Sequence, residues 1–401
     1  TVRALALGGL RYETPEHNGI SSLAATMLDK GTPSHGAVQI AGEMESMASG
    51  YSGMSGRNTI GGALTGLSRY LVPTMERFAE ALFHASVPED EFERERIMHL
   101  RELKSRQDSL GAVNYDRFAA AFFHGHPYAM QSMGTPESVA RIKADDVRAY
   151  LRRMIAPQQM SVAVVGDVHA SEIVQMVEEL FAVERAALNT SPSIGAPEAR
   201  TGTTLVTGDL DKNQAHVIVG FDSPGIGSED RYALDVLHAV LSGQGGRLFS
   251  ELRDRQSLAY SVYASMLMGM EASSFTVNIG TSPEKIEQEV RGIFAQVQKL
   301  LLEPPTSEEL AGAKQYLCGN HDIGLQRTSS RAMSFALNEL YGVGWRSALE
   351  YSDRIQAVRV DDVTRLVEQY LDVEAAVVAV TKPAGVEVDA QLIEHVVGGR
   401  R

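Results

Sequence analysis

The sequence predicts an α+β protein of two homologous domains, each a largely antiparallel β-sheet packed with α-helices. Three observations predict this fold. Short apolar strands alternate with long amphipathic helices, and many strands are separated by only a few residues, which is typical of antiparallel pairing. The pattern of the first half recurs in the second at an offset of a little over two hundred residues. The length of 401 residues also exceeds what one typical core accommodates.

The repeat is visible where helices begin. Residues 88–92, Pro-Glu-Asp-Glu-Phe, open a long charged helix, and residues 305–310, Pro-Thr-Ser-Glu-Glu-Leu, open its counterpart. Asp-Asp-Val at 145–147 recurs at 361–363, each time at the start of a helix that leads into an apolar strand. Two copies of one domain explain both matches.

The individual elements follow from periodicity and turn residues. Apolar positions at helical spacing predict a core-facing helix over residues 286–301. Thr306 and Glu309 predict a capping box for the next helix. Glycines between residues 51 and 65 predict turns between short paired strands. Further strands are predicted at residues 2–7, 160–165, 211–221 and 376–380.

The halves are joined by a segment rich in proline, serine and glycine, residues 189–197, which is typical of a linker. We therefore predict a first domain over residues 1–188, a linker over 189–202 and a second domain over 203–401.

Composition excludes several classes of protein. The chain has 51 acidic and 37 basic residues, a net charge of −14, and offers no basic stripe for nucleic acid. No run is long and apolar enough to predict a membrane span. A single cysteine, Cys318, excludes an intrachain disulfide and a cysteine-based zinc site. The chain starts at Thr1, directly on a strand, so we expect a trimmed N-terminus; periplasm and cytoplasm both stay open as compartments.

The stretch from Gly19 to Thr32 has the outline of a zinc-peptidase helix without the zinc-binding side chains. In the inverted motif His-x-x-Glu-His, two imidazoles four residues apart hold zinc on one helical face, and the glutamate activates water. On that frame Ser22 replaces the first histidine, Ala25 the glutamate and Thr26 the second histidine. We expect the chain to bind no catalytic metal.

The surrounding frame, Gly19 before the helix and Met27-Leu28 and Lys30-Gly31-Thr32 after it, resembles the peptidase M16 family of the pitrilysin or insulinase type. The resemblance implies that each sheet carries helices on one face. It also implies a third zinc ligand in active members, a glutamate on a later helix, and Glu102 matches that position by spacing. Without the imidazoles, we interpret Glu102, and Glu95 two turns before it, as part of a solvated helix face.

The histidines do not replace the missing ligands. No two of the 11 lie four residues apart, so no helix offers a face with two imidazoles. His124 and His126 flank a helix exit in a His-Pro-Tyr step that the family commonly carries in a structural role. We interpret both, and His216 in a predicted strand, as structural side chains.

The second half carries a more specific signal in residues 241–262, where a Gly-rich turn, a helix and a strand follow one another. Gly245 and Gly246 let the backbone approach another chain closely. The segment resembles the M16 signature in which an arginine and a tyrosine seven residues apart reach the metal site of the other half. Arg253 and Tyr260 have this spacing. The resemblance implies that they bind the substrate backbone and that the tyrosine stabilises the oxyanion.

These observations lead to the hypothesis of a non-catalytic subunit or half of a zinc-dependent M16 peptidase. A sister subunit or fused half carrying His-x-x-Glu-His would supply zinc, and this chain would supply Arg253, Tyr260 and the Gly-rich turn to a peptide substrate. The alternative is an M16-like scaffold, similar to respiratory-complex core subunits, although the retained Arg–Tyr spacing argues against it. A third hypothesis is an autonomous hydrolase using Ser22 or Thr26, for which no nearby His or Lys in the sequence is an obvious base.

Overall fold

The structure is a computed structural model, and it describes residues 1–183, 194–243, 245–256, 259–389 and 391–392. The predicted linker at 189–202 lies partly outside the described residues, and from 194 to 202 it forms neither helix nor strand.

Nine strands and 14 α-helices form within the part of the chain that the structure describes. The strands are β1 (Val2–Leu7), β2 (Gly50–Ser55), β3 (Thr59–Thr65), β4 (Met160–Val164), β5 (Thr204–Asp209), β6 (Ala215–Asp222), β7 (Ala259–Leu267), β8 (Ser274–Thr281) and β9 (Val377–Lys382). The helices are α1 (Ile20–Thr26), α2 (Ala37–Ser46), α3 (Leu71–His84), α4 (Glu89–Gln107), α5 (Leu110–Phe122), α6 (Pro136–Arg141), α7 (Ala144–Met154), α8 (Ala170–Leu180), α9 (Arg231–Leu241), α10 (Ile286–Leu302), α11 (Ser307–Leu325), α12 (Thr328–Leu340), α13 (Ser347–Ala357) and α14 (Val360–Tyr370).

The chain divides into two compact units, each built from three segments. The described segments of the first unit are Thr1–Ser105, 130–183 and Ile323–Leu349. Those of the second unit are Arg106–Ala129, 194–322 and 350–392, with the gaps given above.

The first unit is built on a four-stranded antiparallel sheet of order β2-β3-β1-β4. In the central strand β1, Ala4, Leu5 and Ala6 are all at most 1% exposed. Because successive side chains of a strand point to opposite faces, both faces of β1 are covered. Helix α12 packs on β1 and β4, whereas α1 packs on β2 and α3 on β3.

The second unit is built on a five-stranded sheet of order β5-β9-β6-β8-β7. Its described pairs are antiparallel apart from β5–β9. Strand β9 is buried along its whole length, so it too is covered on both faces, and the expectation of helices on only one face of each sheet is wrong for this sheet. One apolar cluster combines the sheet with α9, α10 and α14, while Phe118 and Phe122 of α5 pack with Ile218, Val377 and Ala379 in a second cluster.

Helices α5 and α12 occupy equivalent positions in the repeat, directly after the long helices α4 and α11. Helix α5 comes from the first half of the sequence but belongs to the second unit, and α12 comes from the second half but belongs to the first. Each compact unit combines three separate segments of the chain, so the limits of the units cannot be compared directly with the predicted domain limits. Those limits stay a prediction.

The predicted fold class is confirmed: helices pack on mainly antiparallel sheets in two units. The predicted strands match β1, β4, β6 and β9, and the glycine-punctuated segment forms the hairpin β2–β3. The predicted capping box is also confirmed, since the Glu309 amide donates to Thr306 Oγ1 at 3.2 Å and the Thr306 amide to Glu309 Oε2 at 2.8 Å. Within the described ranges, every helix is too short or too polar to cross a bilayer.

Candidate functional site

Helix α1, the degenerate zinc-motif helix, is held at its start by a buried carboxylate. Glu13 accepts hydrogen bonds from the amides of Gly19 (2.7 Å) and Ser21 (3.0 Å), and from Asn18 Nδ2 (2.9 Å). The Ser21 hydroxyl donates to the same carboxylate. Amides at a helix N-terminus have no partner within the helix and carry partial positive charge, so an acidic side chain stabilises this end. Glu13 therefore fixes where α1 begins.

The three motif positions on α1 differ in exposure. Ser22 is half-buried, Ala25 is 6% exposed and Thr26 is exposed, with its hydroxyl donating to the Leu23 carbonyl at 2.8 Å. Zinc in a peptidase is held by imidazole nitrogens and a carboxylate, and two hydroxyls and a methyl group do not provide that donor set. The residues present do not fit the zinc ion that an active helix of this kind holds.

The carboxylates of α4 do not complete a metal site. Glu102 is exposed, and Glu95 lies 3.2 Å from the Lys30 ammonium, which also contacts Asp29 at 3.3 Å. Over the described ranges, no three His, Cys, Asp or Glu side chains are grouped so as to hold a metal ion. The predicted metal-free state of this chain is an expectation about binding and stays one.

Four buried or half-buried histidines make structural hydrogen bonds. These bonds join His99 Nε2 to the Met133 carbonyl (2.7 Å), the Tyr128 amide to His126 Nδ1 (3.1 Å), Asn114 Nδ2 to His216 Nδ1 (3.1 Å) and His238 Nε2 to the Ala264 carbonyl (3.0 Å). His124 is exposed and contacts Glu198 at 3.0 Å. Burial lowers the pKa of His216 to about 4, so this side chain is neutral at physiological pH.

One serine–histidine pair lies outside the predicted site. Ser34 Oγ is 2.6 Å from His35 Nδ1, and His35 Nε2 is 3.4 Å from Glu43. The Ser34 hydroxyl also hydrogen-bonds to Glu80 Oε1, which competes with the imidazole for the hydroxyl proton. A nucleophilic serine instead needs a histidine that takes this proton. We interpret the group as a surface hydrogen-bond network.

Arg253 and Tyr260 both present their side chains to solvent. Arg253 lies in a π-helical segment, Phe249–Arg255, and its guanidinium carbon is 4.6 Å from the centroid of the Phe249 ring. Tyr260 is 60% exposed near the start of β7, an edge strand. Residues 257 and 258 between them lie outside the described part of the chain.

A β-bulge displaces Tyr260 from the regular strand pairing. Ala259 pairs with Thr281, and Ser261 pairs with the next residue of β8, Gly280, so Tyr260 is the extra residue of β7. Bulges bend a strand and change the direction of a side chain, and they are frequent beside active sites. The phenol is therefore directed outward by backbone geometry.

The Gly-rich turn before this segment depends on glycine at specific positions. Gly243 has a φ of +84°, and the Gly246 amide donates to the Gly243 carbonyl at 3.1 Å. A Cβ on Gly246 would lie 2.3 Å from the Ser242 carbonyl oxygen, whereas one on Gly245 would meet no atom within 4 Å. Gly246 is thus required by the turn, and Gly245 lies at the open surface.

Arg247 connects the end of this turn, through an ion pair and hydrogen bonds, to the start of α11 and the segment before it. Its guanidinium binds the carboxylate of Glu309 and donates to the carbonyls of Glu303 (2.8 Å) and Pro304 (3.2 Å). These charge-assisted bonds raise the pKa of Arg247 and lower that of Glu309 to about 2. The turn that leads to Arg253 is therefore tied to a neighbouring helix.

Two parts of the sequence match models of one protein family. Residues 5–136 match the model for the insulinase family, peptidase family M16, and residues 141–317 match the model for the peptidase M16 inactive domain. The chain belongs to the M16 peptidase family. Among the curated proteins similar to this chain, the uncharacterized zinc protease YmxG of Bacillus subtilis is 27% identical over 391 residues, covering 96% of this chain and 94% of the relative. An uncharacterized zinc protease of Mycobacterium tuberculosis is 28% identical over 367 residues, covering 90% and 84%.

Solved structures agree on the fold of this M16 chain. A peptidase M16 inactive domain from Pseudomonas fluorescens superposes with a TM-score of 0.89 at 20% identity, covering 97% of this chain and 94% of that one. A protease from Helicobacter pylori superposes with a TM-score of 0.87 at 23% identity, covering 95% and 93%. At such identities the likeness shows the fold alone.

The sequence predicts the degenerate motif and the Arg–Tyr pair, whose roles stay predictions, but it does not reveal the contacts that hold these residues in place. Glu13 precedes α1 by several residues and follows no capping pattern that a sequence window reveals. The bulge at Tyr260 depends on the register of β7 against β8, which is a long-range property. Glu309 is predicted from the sequence as part of the capping box, but no local spacing indicates its pairing with Arg247, 62 residues earlier.

Proposed function

We propose that this M16 chain is the non-catalytic half of a two-part zinc peptidase. A partner carrying His-x-x-Glu-His would hold the zinc ion and the activated water. This chain would contribute Arg253 to bind the backbone of a peptide substrate and Tyr260 to donate a hydrogen bond to the oxyanion. It would bind no catalytic metal of its own.

The observation that carries the proposal is the outward direction of Tyr260. A large aromatic side chain on a strand normally gains stability by burial, yet this one is 60% exposed at a bulge. An oxyanion is stabilised by a donor that is already oriented, and a phenol on a strand meets that need better than one on a flexible loop. Arg253, also exposed, adds a cation with several donors that fit peptide carbonyls.

The side chains of α1 support the proposal that a second chain supplies the zinc site. Ser22, Ala25 and Thr26 lack imidazole and carboxylate groups, so substitution at a single position would not rebuild the motif. The relatives named zinc proteases make peptide hydrolysis the expected reaction of the assembly.

The test is reconstitution from purified components. The chain is assayed alone, and then together with each M16 protein from the same organism that has an intact inverted motif, using a fluorogenic peptide library. We expect no cleavage by this chain alone, cleavage by the mixture, and complete inhibition by a chelator. Chelator-insensitive cleavage by the isolated chain would contradict the proposal.

Metal analysis provides the second readout. After dialysis against zinc and gel filtration, we expect less than about one tenth of an equivalent of zinc on this chain and about one equivalent on the partner. One equivalent retained on this chain, lost in a Thr26→Ala variant, would overturn the assignment of roles.

A further inference from the structure

A cavity of about 490 Å³ lies in the second unit, between the Gly-rich turn and helix α11. The last turn of α9 forms its third side. Residue 244, within the turn, lies outside the described residues. The residues that bear on its shape and chemistry include His238, Gly245, Gly246, Gly312, Ala313 and Tyr316, and the polar side chains of Ser242 and Glu309 also line it.

The cavity surface suits a flat apolar group. Gly245, Gly312 and Ala313 have little or no side chain, and a Cβ on Gly245 or Gly312 would meet no atom within 4 Å. The space beside these glycines is therefore open. Tyr316 on the same helix is 66% exposed and offers an aromatic ring at the side. Aromatic rings pair by offset or edge-to-face contact, so a second ring is a suitable occupant.

His238 gives the cavity one defined polar group. Its Nε2 lies 3.0 Å from the Ala264 carbonyl, and because a carbonyl only accepts, Nε2 carries the proton. Burial lowers the pKa of His238, which keeps the imidazole neutral. Nδ1 is therefore an acceptor, and among the described residues the His238 side chain makes no second hydrogen bond. A bound group that donates a hydrogen bond to Nδ1 of His238 would therefore bind more tightly than one without a donor.

The acidic residue that lines the cavity, Glu309, does not favour a basic occupant. Both of its oxygens bind the guanidinium of Arg247, and Oε2 also accepts from the Thr306 amide. A cationic side chain would have to compete with that bidentate pair. The chemistry that fits is an uncharged aromatic group with one hydrogen-bond donor, an indole or a phenol.

We propose that this cavity binds a tryptophan or tyrosine side chain of the peptide substrate, an inference that rests on the proposed function. Gly246 and Arg253 are seven residues apart along a largely helical segment, about 10 Å at a helical rise. That length equals about three residues of an extended peptide. A peptide whose backbone is held at Arg253 therefore presents the side chain about three residues away to the cavity.

Binding of peptides to the isolated chain tests the proposal without partner or zinc. The probes are fluorescein-labelled 12-residue Gly-Ser peptides with one central Trp, Tyr, Phe or Ala, measured by anisotropy. We expect Trp and Tyr peptides to bind roughly tenfold tighter than the Ala peptide. A peptide with 1-methyltryptophan, which lacks the indole N–H, is expected to bind more weakly than Trp.

A matched pair of variants locates the site. Gly312→Leu fills the cavity, and Gly319→Leu makes the same change two turns further along α11, where a Cβ also meets no atom within 4 Å. Because leucine favours helix over glycine, neither variant is expected to unfold the chain. The Trp preference should disappear in Gly312→Leu and persist in Gly319→Leu.

Equal binding of all four peptides, no measurable binding of any of them, or a Trp preference that survives Gly312→Leu overturns the proposal. These results are distinguishable from failure of the proposed function. If reconstitution yields no peptidase activity, but the isolated chain still prefers the Trp peptide and loses this preference in Gly312→Leu, the proposed catalytic role is wrong. The proposal for the cavity is then still supported.

Discussion

The Arg247 guanidinium holds both carboxylate oxygens of Glu309, with Nε at 2.6 Å from Oε1 and Nη2 at 2.7 Å from Oε2. Glu309 also forms the capping box that begins α11. One carboxylate therefore connects the Gly-rich turn with the N-terminus of a 19-residue helix. This connection fixes the start of the segment that carries Arg253.

Arg247→Lys tests this connection. Lysine keeps the charge but loses the planar bidentate geometry, so we expect the free energy of unfolding to fall by about 1–2 kcal/mol in urea titrations. The control is Arg94→Lys, since Arg94 forms an exposed pair with Glu91 on α4 and should change stability by less than about 0.5 kcal/mol. Equal effects of the two changes would contradict the role of Arg247.

Asn114 of α5 joins this helix to the second sheet. Its Nδ2 lies 3.0 Å from the carbonyls of His216 and Ala379, and its Oδ1 accepts from Thr381 Oγ1 at 2.9 Å. The residue is fully buried. Asn114→Ala leaves buried partners unpaired and should lower the free energy of unfolding by about 2–4 kcal/mol, measured in urea.

A matched asparagine checks that this loss comes from the buried network. Asn338 makes one described side-chain hydrogen bond, to Ser347 Oγ at 2.9 Å, in a half-buried position. Asn338→Ala is expected to cost about 1 kcal/mol. A loss at Asn114 no larger than this would mean that α5 is not held through its asparagine.

His216 predicts a stability that depends on pH. Its pKa is about 4 in the folded chain against about 6.5 when unfolded, so the unfolded chain binds more protons between these values. The contribution of His216 is complete above pH 6.5 and is lost as the pH falls to 4, by up to about 3 kcal/mol. Over that range the stability of His216→Asn should fall less steeply than that of the wild type, and parallel curves would refute this.

Gly53 on β2 is predicted to be essential for packing against α1. A Cβ at this position would lie 1.9 Å from the carbonyl oxygen of Ala25, which occupies the predicted position of the motif glutamate. Gly53→Ala should lower the free energy of unfolding by about 1–3 kcal/mol or more, because the helix backbone must move. Gly50→Ala on the same strand meets no atom within 4 Å and should be neutral or slightly stabilising.

Apolar periodicity and turn residues were sufficient to predict part of the secondary structure, including β1, β4, β6, β9 and α10, because these elements bury apolar side chains at regular spacing. It was not sufficient to predict that α5 and α12 each pack in the unit opposite to their half of the sequence. The polar pairings that hold α5, such as Asn114 with Thr381, join residues 267 positions apart. No local pattern contains that information.

The same distinction between local spacing and long-range packing applies to the candidate site. Ser22, Ala25 and Thr26 could be singled out because the zinc motif is a local spacing rule, and so could Arg253 and Tyr260; the roles assigned to them stay predictions. The bulge that turns Tyr260 outward arises from pairing between β7 and β8, and the cavity beside Gly312 from the packing of α11 against the Gly-rich turn. Both depend on tertiary structure.

The most direct measurement of the central claim is kcat of the reconstituted peptidase with Tyr260→Phe and with Tyr263→Phe. Tyr263 lies on the same strand and is 47% exposed, so it controls for loss of a surface phenol. We predict that Tyr260→Phe lowers kcat by about 10²-fold, since the oxyanion loses a donor, while Tyr263→Phe leaves it within about twofold. Unchanged kcat in Tyr260→Phe would contradict the claim that this chain completes a partner's active site.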